Sequence, residues 1–388
     1  MKEDTKIVRA GRHPAQHGGA VNTPVYHVST VLVDTLEELE GLSKRKPPQM
    51  AYGRRGTPTV YAFEEAVTEL EGGAGCVSFP SGLAAISGAL LTYAETGAHF
   101  LVSDSAYGPT RRLCDTLLAR LGVTTEYYDP LIGGDITKLM RDNTKVVFTE
   151  SPGSLTFEVQ DIPAIAAAAH EGGAKVLMDN TWASPIYFKP FEHGVDLSIQ
   201  AATKYIVGHS DAMLGTVTAN DACLQALQDT SYGLGYAAGP DDLYLGTRGI
   251  RTIGVRLRQH MESGLKVARW LQERPEVVRV IHPALPDDPG HALWKRDFTG
   301  ACGLFAFVID STPRPALEAM VNHFEHFGMG ASWGGYESLC MPTSPEKMRT
   351  ATTWEPGGQT MRIHVGLEDV DDLIADLAAA FDRRNAAM

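Results

Sequence analysis

The chain is predicted to be an α/β protein with a mostly parallel central sheet and a smaller C-terminal α+β domain. Short apolar runs alternate with helical patterns through its middle, which is how strands joined by crossover helices read. After about residue 240 the alternation gives way to a long helical pattern and then a new set of elements. Length supports the same reading: 388 residues with 44% hydrophobic content suffice for one large core and a second, smaller one.

Residues 1–56 lack sustained periodicity and contain Pro14, Pro24, Pro47 and Pro48, so they are expected to form an extended arm. The large domain, 57–240, opens with a helix whose apolar side is Val60, Phe63, Val67 and Leu70. Strands are expected at Cys76–Phe79, His99–Ser103, Thr125–Tyr128, Val146–Glu150, Val176–Asp179, Leu197–Ala201 and Gly215–Thr218. Helices are expected between several of them, at Leu83–Tyr93, Thr110–Leu121 and Ile162–His170. The C-terminal domain, 241–388, begins with one long connecting helix from about Asp241 to Gln272. It continues with a strand at Leu304–Ile309 and a helix around Pro315–Phe327. The last helix carries Val370, Leu373, Ile374, Leu377 and Phe381 on one face.

A formal charge of -13 argues against nucleic acid or an anionic membrane as partner. Met1 to Lys6 is charged and no apolar core follows, unlike a signal peptide. No stretch approaches the roughly 20 apolar residues needed to span a bilayer. The five cysteines are odd in number and scattered, giving neither a disulfide framework nor zinc-ligand spacing. These features lead us to expect a soluble cytoplasmic protein with no metal.

Lys204 is the residue that speaks to chemistry. It follows Leu197-Ser198-Ile199-Gln200-Ala201-Ala202-Thr203, a run that reads as a buried strand leaving the sheet. Burying an unpaired ammonium is costly, and desolvation favours the neutral, nucleophilic amine that forms a Schiff base. Upstream, Lys175-Val176-Leu177-Met178 delivers Asp179 to the end of another apolar strand. A lysine to carry an aldehyde and a carboxylate to keep a pyridine nitrogen protonated are what pyridoxal phosphate requires. Each residue alone reads as structural, a snorkelling lysine or a turn-capping aspartate; the pair in this order favours the cofactor.

Other candidates keep two readings each. Ser81-Gly82-Leu83 opens a helix, either as a phosphate cradle or as an ordinary serine cap. Tyr107, after a strand end, can stack on a cofactor ring or simply pack. Thr203 has a hydroxyl able to reach a phosphate. Arg54, with Arg55 and beside Tyr52, is either a solvated basic spot or a phosphate clamp. Two motifs are set aside. Gly233-Leu234-Gly235-Tyr236-Ala237-Ala238 fits a loose dinucleotide fingerprint but no apolar strand feeds it. His209-Ser210-Asp211 has triad residue types, yet triad members meet through the fold rather than along the chain.

Six blocks in order, from Tyr52-Gly53-Arg54 to Arg362-Ile363-His364-Val365-Gly366-Leu367-Glu368-Asp369, resemble the pyridoxal-phosphate transsulfuration enzymes. Between these lie Ser81-Gly82-Leu83-Ala84-Ala85, Asp179-Asn180-Thr181-Trp182, Gln200-Ala201-Ala202-Thr203-Lys204-Tyr205 and Ser332-Trp333-Gly334-Gly335-Tyr336-Glu337-Ser338-Leu339. The resemblance implies an aspartate-aminotransferase-like fold (PLP fold type I). It implies that Lys204 holds pyridoxal phosphate, Asp179 pairs with the pyridine nitrogen, and Tyr107 stacks on the ring. Gly82, Leu83 and Thr203 would cradle the phosphate, and Arg362 with Ser332 would hold the substrate carboxylate. Tyr52 and Arg54 would reach a neighbouring subunit's cofactor, making a dimer the smallest active unit and a tetramer its expected assembly. Leu83 and Ala201 stand where many relatives carry methionine and serine, and the second change removes one phosphate hydrogen bond. Trp333 stands where gamma-acting relatives usually have leucine, so beta-elimination of L-cystathionine is expected. A gamma-synthase, a gamma-lyase or a broader cysteine or methionine lyase is the alternative. Trp333 can also be read as filling space near the domain interface.

Overall fold

The computed structural model describes all 388 residues. Before the first strand come α1 (Glu3–Arg9), α2 (Leu36–Gly41) and α3 (Pro58–Glu71). The large body then alternates β1 (Gly75–Phe79), α4 (Gly82–Leu91), β2 (His99–Ser103), α5 (Gly108–Leu113), β3 (Thr124–Tyr128), β4 (Thr144–Glu150), α6 (Ile162–Glu171), β5 (Lys175–Asp179), α7 (Ser184–Tyr187), β6 (Leu197–Gln200) and β7 (Gly215–Ala219). Helices α8 (Leu224–Leu234), α9 (Pro240–Ile250) and α10 (Ile253–Gln272) lead onward. The smaller body holds β8 (Val277–Ile281), α11 (His291–Asp297), β9 (Leu304–Ile309), α12 (Arg314–Val321), β10 (Leu339–Thr343), β11 (Gln359–His364) and α13 (Val370–Ala386).

The large sheet has the strand order β1-β7-β6-β5-β4-β2-β3. From β6 to β3 all neighbours are parallel, whereas β7 runs antiparallel to both β6 and β1. Two reversals restore direction, so β1 points the same way as β6. The C-terminal ends of β1, β2, β4, β5 and β6 therefore lie along one edge, where open α/β sheets collect ligands. Helices cover both faces, and a strand buried on both sides must be apolar or internally bonded throughout. β2 and β7 are buried at every position.

The smaller sheet, β10-β11-β9-β8, is antiparallel. Phe305, Phe307, Ile363, Leu377 and Phe381 share one core beneath it. Leu304, Ala306 and Val308 of β9 instead join the apolar cluster of Trp182, Tyr205 and Leu257. Trp182 Nε1 also donates to Leu304 O at 2.9 Å. The two sheets thus meet directly behind Lys204.

Three elements differ from the sequence expectation. The 241–272 helix is two helices, broken at Arg251 and Thr252. A Cβ on Gly249 would lie 2.2 Å from Ile206 O, and one on Gly246 2.7 Å from Phe63, so α9 is pressed against the large body. α10 has to turn away from it to reach the smaller sheet. The helix expected to reach Phe327 stops at Val321, because the amides of Glu325, His326 and Phe327 converge on the Asp376 carboxylate of α13. The arm is not extended throughout. α1 folds back on its own chain, with Ile7 3% exposed and Arg251 Nη1 donating to Ile7 O and Ala10 O at 3.0 and 2.8 Å. No helix is long and apolar enough to cross a membrane.

Candidate active site

A cavity of about 660 Å³ opens at the shared strand edge and is walled on its far side by the smaller body. Gly82, Leu83, Tyr107, Glu150, Asp179, Thr203, Lys204, Trp333 and Arg362 all line it. Each arrives there by a local rule: strand ends supply Glu150 and Asp179, a helix start supplies Gly82, and β11 supplies Arg362.

Lys204 lies just beyond β6, and its Nζ donates to Ser332 Oγ at 2.7 Å. Burial, reinforced by the Arg362 guanidinium and opposed by Asp179 and Glu337, lowers its pKa to about 8. Much more of this amine is therefore neutral than of a surface lysine at the same pH. The Trp333 ring centroid is 5.2 Å from the same Nζ.

Asp179 is 7% exposed. Its protein hydrogen bonds all fall on Oδ1, from Thr181 N at 3.0 Å and Thr181 Oγ1 at 2.5 Å. Burial raises its pKa, against the Thr181 bonds and Lys204. A buried carboxylate with one oxygen unused is short of a donor, and a protonated ring nitrogen would supply one. The anion end fits as well. Ser81 Oγ accepts from Ala84 N at 3.1 Å, which leaves the amides of Gly82 and Leu83 at the start of α4 free to bind an anion. A Cβ on Gly82 would come within 2.6 Å of Ala201 Cβ, so only glycine lets this turn approach β6. Thr203 faces the cavity, but its hydroxyl donates to Leu214 O at 3.0 Å and accepts from Leu214 N at 2.9 Å. It must leave that carbonyl before it can donate to a phosphate.

Arg362 spends Nη2 on Gly330 O (2.7 Å) and Ser332 O (3.1 Å), keeping Nε and Nη1 for a ligand. Tyr107 is half-exposed, its ring free along the wall, and its backbone N–H donates to Glu150 Oε2 at 2.7 Å. Tyr52 and Arg54 do not join this cavity. They are exposed, and Arg54 Nη1 donates to Tyr232 O at 3.0 Å.

Sequence reasoning missed Glu150. It is paired in register with Asp179, and burial together with that neighbour raises its pKa well above the carboxylate range. The available signal was that two adjacent parallel strands both end in a carboxylate. The wall at residues 344–352 was missed too. Asp104 accepts from Thr350 N at 2.9 Å and from Thr352 N and Oγ1 at 2.8 and 2.7 Å. Burial alone would raise its pKa, but those bonds bring it down to about 2. Arg349 pairs with Glu158 alongside. This network straps the β10–β11 connection, with Met348, across the cavity.

A cavity offering a depressed lysine, a donor-hungry carboxylate and a helix-end anion site defines an enzyme that works through pyridoxal phosphate. The sequence matches the family described as Cys/Met metabolism PLP-dependent enzyme over residues 4–382, and the chain belongs to it. It is 49% identical to a cystathionine beta-lyase of Salmonella typhimurium over 98% of both chains. It is equally 49% identical to the cystathionine beta-lyase MetC of Escherichia coli, again over 98% of both. Among solved structures, cystathionine gamma synthase from Xanthomonas oryzae pv. oryzae superposes with a TM-score of 0.91 at 31% identity over 100% of both chains. The aspartate-aminotransferase-like fold expected from the sequence is borne out.

Proposed function

We propose that this chain cleaves L-cystathionine by beta-elimination, giving homocysteine, pyruvate and ammonia. The observation that carries the reaction type is Lys204 Nζ, lowered to about 8 and sharing one cavity with Asp179 and Arg362. The choice of substrate is supported by the relatives, since the two named beta-lyases are far more similar to the chain than the gamma synthase is.

Gly82, Leu83 and Thr203 would hold the cofactor phosphate, Asp179 its ring nitrogen, and Tyr107 would lie against the ring. When bound, the cofactor supplies an electron sink for the carbanion at the substrate's alpha carbon. Arg362 offers its guanidinium to the substrate carboxylate, Nη2 exchanging one of its backbone carbonyls for the ligand so that the contact is two-pronged, which fixes the alpha C–H bond relative to Lys204. Such orientation is worth on the order of several kcal/mol. Lys204, once free and neutral, takes the alpha proton. Ser332 Oγ holds the amine at hydrogen-bond distance while it does so. Asp179 would keep the ring nitrogen of the bound cofactor charged. The carbon–sulfur bond then breaks toward sulfur, homocysteine leaves, and hydrolysis of the remaining three carbons gives pyruvate and ammonia.

Product analysis on L-cystathionine tests this directly. Pyruvate, ammonia and homocysteine should appear in equal amounts. A preponderance of 2-oxobutyrate and cysteine would replace the reading with a gamma-lyase.

The Arg362 assignment has its own test. Arg362→Lys should raise KM for cystathionine by about tenfold or more and slow turnover, since an ammonium cannot reproduce the two-pronged contact. The visible spectrum of the bound cofactor should persist. An unchanged KM would remove Arg362 from the role of carboxylate anchor.

Tyr52 and Arg54 are read as serving the cavity of a second subunit. Their exposure supports this, as do Leu32, Leu36 and Leu39 of the same arm, which are 87%, 70% and 55% exposed. Apolar side chains so placed suit a partner copy of the chain better than water.

A further inference from the structure

Behind Lys204 lies a cluster of four rings, those of Tyr205, His260 and His364, all buried, and that of Trp333, half-buried at the cavity wall. The Tyr205 centroid is 5.4 Å from His260, 5.5 Å from Trp333 and 6.0 Å from His364, and the two histidines are 5.2 Å apart. His364 ends β11 two residues after Arg362 and is 1% exposed. Both its ring nitrogens meet the backbone of one loop. Nδ1 is 3.1 Å from Glu337 O, and Gly334 N–H donates to Nε2 at 3.1 Å. A carbonyl has no proton to give, and an amide N–H has no lone pair to accept with. Both contacts are satisfied only by a neutral ring carrying its proton on Nδ1.

That loop is the one that faces the lysine. Gly334 follows Ser332 and Trp333, and its φ is +86°, a conformation that favours glycine. A Cβ there would lie 3.0 Å from Lys204 Cα, so the loop runs against the lysine's own backbone. Moving Gly334 would carry with it the hydroxyl that receives Lys204 Nζ and the ring beside it.

We propose that His364 is a positioning residue for the elimination: its neutral ring holds Gly334 N–H and Glu337 C=O, and so sets where Ser332 and Trp333 stand against Lys204 Nζ. The proposal rests on the site reading above. Burial keeps the ring neutral, and His260 of α10, Arg362 of β11 and Lys204 add to that effect, while the Glu337 carbonyl opposes it. Sequence offers no hint of the role, because a histidine ending an antiparallel strand reads as a packing residue.

The test compares His364→Phe, which keeps a ring but can neither accept nor donate, with His364→Gln, whose amide can do both. Hydrogen exchange on the holoenzyme should show that the peptide containing Gly334 loses amide protection in the Phe variant and keeps it in the Gln variant. β4, β5 and β6 should stay protected in both. kcat/KM for cystathionine should fall about tenfold or more in the Phe variant and recover most of the way in the Gln variant. In a Ser332→Ala/Trp333→Ala background, His364→Phe should cost no more than about twofold, because the segment it places has lost both side chains that meet Lys204 Nζ. Wild-type protection at Gly334 in the Phe variant, or a full additional loss in the Ser332→Ala/Trp333→Ala background, overturns the proposal. Should the Phe variant fail to fold, His364→Asn, polar but too short to reach both partners, takes its place with the same outcomes. Borohydride labelling of Lys204 and pyruvate formation by the wild type test the site reading separately, since neither depends on residue 364.

Discussion

Lys204→Ala should lose pyruvate formation by about 10³-fold or more, the loss expected when one side chain is both the covalent anchor and the proton-transferring base. Borohydride reduction of the wild type followed by peptide mapping should find the pyridoxyl group on Lys204 and nowhere else. The variant should carry no such label while still binding cofactor, because Asp179 and the amides at Gly82 and Leu83 are untouched. The amine stands in a cavity of about 660 Å³, so added methylamine should enter the variant and restore part of the proton transfer. The pH dependence follows from the sign of the shift. Burial and Arg362 lower the lysine pKa to about 8, and only the neutral amine accepts a proton, so turnover should rise with pH and level off above that value. A label at another lysine, or an alanine variant with near-normal activity, would refute the assignment.

Which parts of this site a sequence can reveal depends on the range of the interactions involved. Lys204 and Asp179 were legible because each follows an apolar run, so strand periodicity alone places both at the sheet edge. The strands of the large sheet and β9 were found within a residue or two, since long apolar runs mark them, whereas β8, β10 and β11 of the smaller sheet were not found; β8 and β10 are only partly buried and carry no such run. Direction is another matter. Nothing in Gly215-Thr216-Val217-Thr218 says that β7 runs antiparallel, which is fixed by its pairing with β1 and β6. The break at Arg251 was hidden for a similar reason. The apolar period continues across it, and only the close approach of Gly249 to Ile206 forces the turn. Glu150, Asp104 and His364 act through partners far along the chain: Asp104 and Thr352 are separated by 248 residues. α1 was lost because one buried side chain, Ile7, does not make a period.

Mixing two inactive variants should recover about a quarter of wild-type activity if each cavity is completed by a neighbour's arm. The variants are Lys204→Ala and Arg54→Ala, each expected to be nearly inactive alone. Within one chain Arg54 lies outside the cavity and spends Nη1 on Tyr232 O, so its loss should leave its own subunit's lysine in place. A hybrid dimer then has one cavity that draws Lys204 from the Arg54→Ala chain and Arg54 from the Lys204→Ala chain, and it is intact. Its other cavity carries both defects. Random exchange makes half the dimers hybrids, each with one good site in two, which gives the quarter. The shared-site arrangement would place exposed Leu32, Leu36 and Leu39 in the same contact, so replacing all three with serine should weaken assembly and activity together in sizing and turnover measurements. The competing arrangement, an arm serving its own subunit, makes the opposite forecast, because no hybrid would then contain a complete site. Subunit exchange verified by mass spectrometry with no return of activity would establish that arrangement instead.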